Sequence, residues 1–329
     1  MIKVHCFVSC VCEVIKIHHQ ADHRPYYFGV WDADFDLSEN FVLSYHSEKM
    51  DHTFFKDWYS LLYGISLTKW FREEETKEQN IQTLIQLVEE KTQDRHIMVM
   101  LDLSMLPERE NKFHQSPFPH YVMVEATKQA DRWKMLDPDF RWEGILPKEK
   151  ILDAIREPSV AGGYYFDAAS IKVPSKETVE AYFQTCMKKT ENPLTDAIEK
   201  IAAAYSKGAK RNERKHLADA VKQIPVLAIR KYAYEHAFAY FWQQLGRPEE
   251  TFEAWCNEIE KLVNGFTALH YRLLKYAVTG EEKHLEQIQE QLIKQQKLEF
   301  YIKEGLTDSF SEWRHKMERG SISIGGMTG

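Results

Sequence analysis

The sequence of 329 residues contains no stretch approaching ~18 uncharged apolar residues, so no membrane span is expected. Its opening, Met1-Ile2-Lys3-Val4-His5, lacks the apolar core and cleavage site of a secretory signal. The five cysteines, at 6, 10, 12, 186 and 256, are odd in number and irregularly spaced, which excludes a disulfide scaffold. The cluster of His5, Cys6, Cys10, Cys12, His18, His19 and His23 lacks the paired ligands of a structural zinc site. It reads C-x3-C-x-C on an apolar helix, and no metal is expected. There is no basic surplus either: the net charge is −7, which argues against a nucleic-acid partner and favours a cationic one such as a polyamine. No internal repeat is evident. These absences describe a reduced, soluble, cytoplasmic protein.

What the chain does have is core-forming material. With 43% hydrophobic and 13% aromatic residues it is long enough for two domains, and its character changes near residue 170. Residues 1–170 alternate helices with short β-rich segments at 97–101, 120–126, 132–136 and 163–166. The middle pair is joined by a hairpin loop over 127–131. This is the pattern of an α+β domain with an antiparallel sheet. Residues 171–319 read as an all-helical domain. Its helices are expected over 177–189, 193–209, 217–241, 248–276 and 281–303, with apolar residues at three- and four-residue spacing such as Leu262, Phe266, Leu269 and Leu273. Residues 320–329 read as a flexible tail. The aromatic segment from Trp31 to Tyr63 is read as core first, and second as the wall of an aromatic-substrate pocket.

Cys6 is placed at the start of a helix, where backbone N–H groups and the positive end of the helix dipole favour a thiolate. Cys10 lies one turn on and Cys12 faces elsewhere; both read as small buried hydrophobes. His120 opens an apolar strand and can serve as a general base. Asp137 ends the next strand, within reach of the second imidazole nitrogen; Asp139 is the alternative acid, placed further out. A cysteine at a helix start, then a histidine and an acid on neighbouring strands, is the chain order of a papain-like catalytic site. It names acyl transfer through a thioester. Arg109, Lys112, Lys128, Arg132 and Lys134 surround these strands and form a candidate basic docking patch for an acidic partner.

Asp102-Leu-Ser-Met-Leu-Pro107, then His120-Tyr-Val-Met-Val, then Met135-Leu-Asp137-Pro138, with His5-Cys6-Phe-Val-Ser at the start, resembles the pattern of the butirosin biosynthesis protein H family. The likeness covers about residues 1–165. It implies a papain-like fold and movement of an acyl group from a carrier-protein thioester to an amine. Within this group the opening Met1-Ile-Lys-Val-His-Cys-Phe-Val-Ser-Cys10, the length and the helical second half resemble the siderophore branch that makes petrobactin-type products. That branch implies a 3,4-dihydroxybenzoyl group passed from an aryl carrier protein to a spermidine amine. The acyl group would ride on the partner's phosphopantetheine, and the enzyme would need no cofactor of its own. Carried over by position, Cys6 is the nucleophile, His120 the base and Asp137 its orienter; Asp102 falls in a shared element and receives no chemical role. A cysteine peptidase or thioesterase would use the same three residues, and a non-catalytic helical scaffold would use none.

Overall fold

The computed structural model describes residues 4–18, 21–46, 51–109 and 116–325, with side chains described as far as Arg319. In chain order the elements begin with α1 (Cys6–His18), β1 (Asp36–Leu37), β2 (Leu43–Ser44), α2 (Thr53–Tyr63), β3 (Thr68–Lys69) and α3 (Lys77–Glu89). Then come β4 (Arg95–Asp102), β5 (Pro119–Ala126), β6 (Arg132–Asp137), β7 (Trp142–Pro147), α4 (Lys148–Arg156) and β8 (Gly163–Asp167). The rest is helical: α5 (Lys176–Cys186), α6 (Pro193–Ser206), α7 (Leu217–Ala220), α8 (Ile224–Ala228), α9 (Ala233–Leu245), α10 (Glu249–Thr279) and α11 (Glu282–Gly325). The chain folds as two compact units. One comprises residues 1–26 and 52–178; the other comprises 27–51 and 179–329.

The first unit is α+β. Its six-stranded sheet has the order β3-β8-β4-β5-β6-β7, with every neighbouring pair antiparallel. Side chains alternate between its two sides at period two. On one side Val99, Leu101, Val122, Val124, Trp133 and Met135 pack with Ile81, Leu84 and Val88 of α3 and with Ile151 and Leu152 of α4. Burying each such aliphatic side chain contributes about 1.5–3 kcal/mol. The opposite parity on β5 and β8 gives Tyr121, Tyr164 and Phe166. Phe7 of α1 sets its ring against Tyr121 and Tyr164, and Tyr59 of α2 meets Phe166.

The expected strands correspond to β4, β5, β6 and β8, and the loop over 127–131 joins β5 to β6, with the Thr127 hydroxyl donating to the carbonyls of Gln129 and Arg132. The sequence reading missed β7 and β3 of this sheet, and the two-residue β1 and β2. β7 is an edge strand, only half-buried and interrupted by Glu143 and Gly144, so it carries no clear alternation; β3 has two residues. Gly163 is required at the head of β8. A Cβ there would lie 2.3 Å from the Trp70 ring nitrogen and 2.4 Å from the Met98 carbonyl oxygen, the two atoms joined by a 3.1 Å hydrogen bond.

In the helical unit, residues 217–241 are not one helix. Val221 and Gln223 leave helical geometry, and Pro225 opens α8, the first-turn position where its missing N–H costs nothing. α11 runs well past residue 303 to Gly325, and residues 326–329 of the expected tail lie outside the described residues. Of the aromatic segment, Trp31, Phe55, Tyr59 and Tyr63 are core, whereas Phe54 is exposed. Trp31 is buried against Tyr234 with ring centroids 4.8 Å apart in the helical unit, while Tyr59 and Tyr63 are buried in the first. Beside Trp31, Asp32 accepts from Lys231 and Lys303, each at 2.7 Å, and Lys231 also pairs with Glu299 at 2.6 Å. Among the described residues, no helix is long and apolar enough to cross a membrane.

Candidate active site

α1 opens at Cys6. The Ser9 N–H donates to the His5 carbonyl at 2.8 Å, closing the first turn and making Cys6 the first helical residue. N–H groups of a first turn have no partner within their own helix, and they carry the positive end of its dipole. Cys6 is half-buried, whereas Cys10 and Cys12 are fully buried. Their thiols donate to the carbonyls of Tyr121 (3.5 Å) and His23 (3.7 Å). Burial first, then the nearby Cys6 sulfur and Asp137 carboxylate, push the Cys10 thiol well above the ordinary value. Cys10 is therefore held as a neutral thiol, and of the three cysteines on α1 only Cys6 reaches the surface.

His120 and Asp137 meet behind it. On β5, His120 shares the side of Val122 and Val124; on β6, Asp137 shares that of Trp133 and Met135, so neighbouring strands present the two together. The His120 Nε2–H donates to Asp137 Oδ1 at 2.9 Å, with His120 3% exposed and Asp137 fully buried. Cys6 lies close enough to His120 for its sulfur to act on the imidazole electrostatically. Burial alone would push the imidazole down, but the Asp137 carboxylate and the Cys6 sulfur outweigh it. They hold His120 well above the ordinary histidine value. His120 is thus joined to Asp137 by a hydrogen bond, with the Cys6 sulfur near enough to raise its proton affinity.

Two further groups complete the array. The Phe140 N–H donates to Asp137 Oδ1 at 3.2 Å, and its ring lies edge-on to His120 with centroids 5.1 Å apart. The Arg109 guanidinium pairs with Asp137 Oδ2 at 3.0 Å, and it lies over the rings of Trp142 (4.8 Å) and Phe140 (5.3 Å). Asp139 does not compete for His120. Its Oδ1 accepts from the N–H of Val4 and of His5, both at 3.1 Å, and from the Ser9 hydroxyl at 2.8 Å.

Asp102 lies outside this array. It is 1% exposed and accepts from the Ser104 N–H (3.0 Å) and hydroxyl (2.6 Å), the Phe118 N–H (3.0 Å) and the Ser159 hydroxyl (3.0 Å). Burial works against its charge, but these donors hold its carboxyl below the usual range. Its work is to fasten the chain that leads into β5. The basic patch is also not as expected. Arg109 is buried on Asp137, Lys134 pairs with Glu143 at 3.0 Å, and the Arg132 guanidinium donates to the Ile145 carbonyl at 2.9 Å. Lys112 lies outside the described residues. Of the residues in contact with the site, sequence reasoning missed the part played by Arg109, which follows no strand pattern. Asp139, set aside as the more distant acid, indeed makes no bond to His120, but its contacts with Val4, His5 and Ser9 were not foreseen.

Two family models match successive parts of the chain. Residues 1–171 match the DUF6005 N-terminal domain, and residues 177–323 match the DUF6005 C-terminal domain. The chain is 44% identical over 323 residues to the petrobactin synthase of Bacillus anthracis, covering 98% of this chain and 99% of that one. Matched along nearly its whole length, the chain belongs to the DUF6005 family.

Proposed function

We propose that the protein is an amide-forming acyltransferase of petrobactin-type siderophore biosynthesis, with a papain-like Cys6-His120-Asp137 site. The observation that carries this reading is the half-buried Cys6 at the first residue of α1, whose sulfur acts electrostatically on a His120 held by Asp137. The petrobactin synthase relative supports the pathway, and the earlier resemblance supports the substrates.

The Cys6 thiolate attacks the thioester carbonyl of a 3,4-dihydroxybenzoyl group carried on the phosphopantetheine of an aryl carrier protein. The new C–S bond forms as the carrier C–S bond breaks, and the His120 imidazolium gives its proton to the departing thiolate. A primary amine of spermidine or of a spermidine-citrate conjugate then attacks the acyl-enzyme and loses a proton to His120. The amide C–N bond forms, the bond to Cys6 breaks, and the thiolate-imidazolium pair is restored. The Cys6 N–H at the helix start is the first donor for the oxyanion. No cofactor of the enzyme's own enters this cycle.

The test is incubation with aryl-loaded carrier and a panel of amines, read by mass spectrometry. A +acyl adduct on the Cys6 peptide and amine-dependent amide are expected. Free acid formed at the same rate with and without amine would replace this reading with a thioesterase.

A further inference from the structure

We propose that Asp139 is the positioning residue of the nucleophile: it fixes the start of α1 so that Cys6 faces His120. The inference rests on the reading of Cys6 as nucleophile, and it goes beyond it by assigning a residue that takes no part in the bond changes.

The turn after β6 serves both halves of the reacting pair. Asp137 holds His120 through Nε2, and two residues on, Asp139 holds the chain just before Cys6. All three of its contacts fall on one oxygen, Oδ1. They comprise the last two N–H groups ahead of the helix, from Val4 and His5, and the Ser9 hydroxyl one turn inside it. The Ser9 N–H closes back on the His5 carbonyl, so Val4, His5 and Ser9 are locked together around Cys6. With Val4 and His5 already engaged, the next backbone donor along the chain is that of Cys6 itself. A carboxylate is otherwise a poor neighbour for a thiolate, because like charge opposes its formation. Its presence makes sense as an anchor: charge-assisted hydrogen bonds to N–H groups are about twice as strong as neutral ones. The turn therefore sets the sulfur-to-imidazole geometry from both sides. Without Asp139, His120 keeps its partner Asp137 while Cys6 loses its register.

The experiment is alkylation of the full-length protein by iodoacetamide, with the Cys6 peptide followed by mass spectrometry across mildly acidic to neutral pH. Asp139→Ala is expected to slow Cys6 modification by ~10–100-fold, the scale of misplacing a reacting atom by about 1 Å. Asp139→Asn retains an accepting oxygen and is expected to stay within about tenfold of wild type, one net hydrogen bond's worth. Ser9→Ala, which leaves both backbone contacts intact, is expected to slow it by ~2–10-fold and serves as the measure if Asp139→Ala does not fold. The His120 ring titration should remain raised in these variants, because Asp137 is untouched; general loosening of the fold would move both. Wild-type Cys6 alkylation in Asp139→Ala, or in Ser9→Ala where only that variant folds, overturns the assignment. A wild-type enzyme whose Cys6 shows no enhanced alkylation at all overturns the catalytic reading instead, so the two failures are distinct.

Discussion

Arg109→Met removes the cation that faces Asp137 while keeping a long apolar side chain against Trp142 and Phe140. Arg109 is 8% exposed and Asp137 fully buried, so neither charge has solvent to fall back on. Removing one partner of a buried pair typically costs 3–5 kcal/mol, or roughly 3 here, because Asp137 keeps the His120 and Phe140 donors. At ~2–4 °C per kcal/mol for a unit of this size, melting should fall by ~6–12 °C. The site should respond in the opposite sense. With Arg109 gone, the Asp137 charge acts undivided on His120, whose proton affinity is already raised, so the imidazole should titrate at still higher pH. Thermal melting and the pH dependence of the His120 ring signals read the two effects separately. A melting point within about 1 °C of wild type would put the pair in the class of exposed ion pairs. A His120 titration moving down would refute the electrostatic argument.

Cys6→Ala should abolish acyl transfer, whereas Cys10→Ala should retain turnover and lose about 1 kcal/mol of stability; turnover and melting curves on both decide it. Because the folded-state value of His120 is raised, its contribution to stability should be full below ~6.5 and fade as pH climbs through the folded value. The gap in urea stability between wild type and His120→Gln should therefore narrow with rising pH, and a widening gap would contradict this. Asp32→Ala leaves Lys303 without its carboxylate inside the helical unit and should cost ~3–5 kcal/mol by denaturant unfolding. Gly163→Ala must displace Trp70 from the Met98 carbonyl and should cost at least ~1–3 kcal/mol by the same measurement.

Much of this protein could be read from local pattern. The apolar run after Cys6, the alternation around 120–126 and 132–136, and the three- and four-residue spacing of the later helices are properties of short windows, and those elements form. Patterns failed where an element is short or exposed. β7 exposes Glu143 and Ile145 and carries Gly144 between them, so no apolar alternation marks it, and the chain leaves helical geometry at Val221 and Gln223 within a stretch that looks continuous from 217 to 241.

By itself the sequence determined the kinds of element, an α+β first half and a helical second half, and it pointed to His120 and Asp137, which a hydrogen bond joins. Periodicity and terminal chemistry act within a few residues, which is why they are legible. Only the tertiary structure decided that Asp137 and Asp139 divide the work of one turn, that Arg109 is a buried counter-ion instead of a docking residue, and that residues 27–51 pack with the helical unit. Those outcomes depend on which atoms, more than a hundred residues apart in the case of Asp139 and Val4, arrive within 3.1 Å of each other. Such meetings are fixed by the packing of whole elements, and no window of sequence contains them.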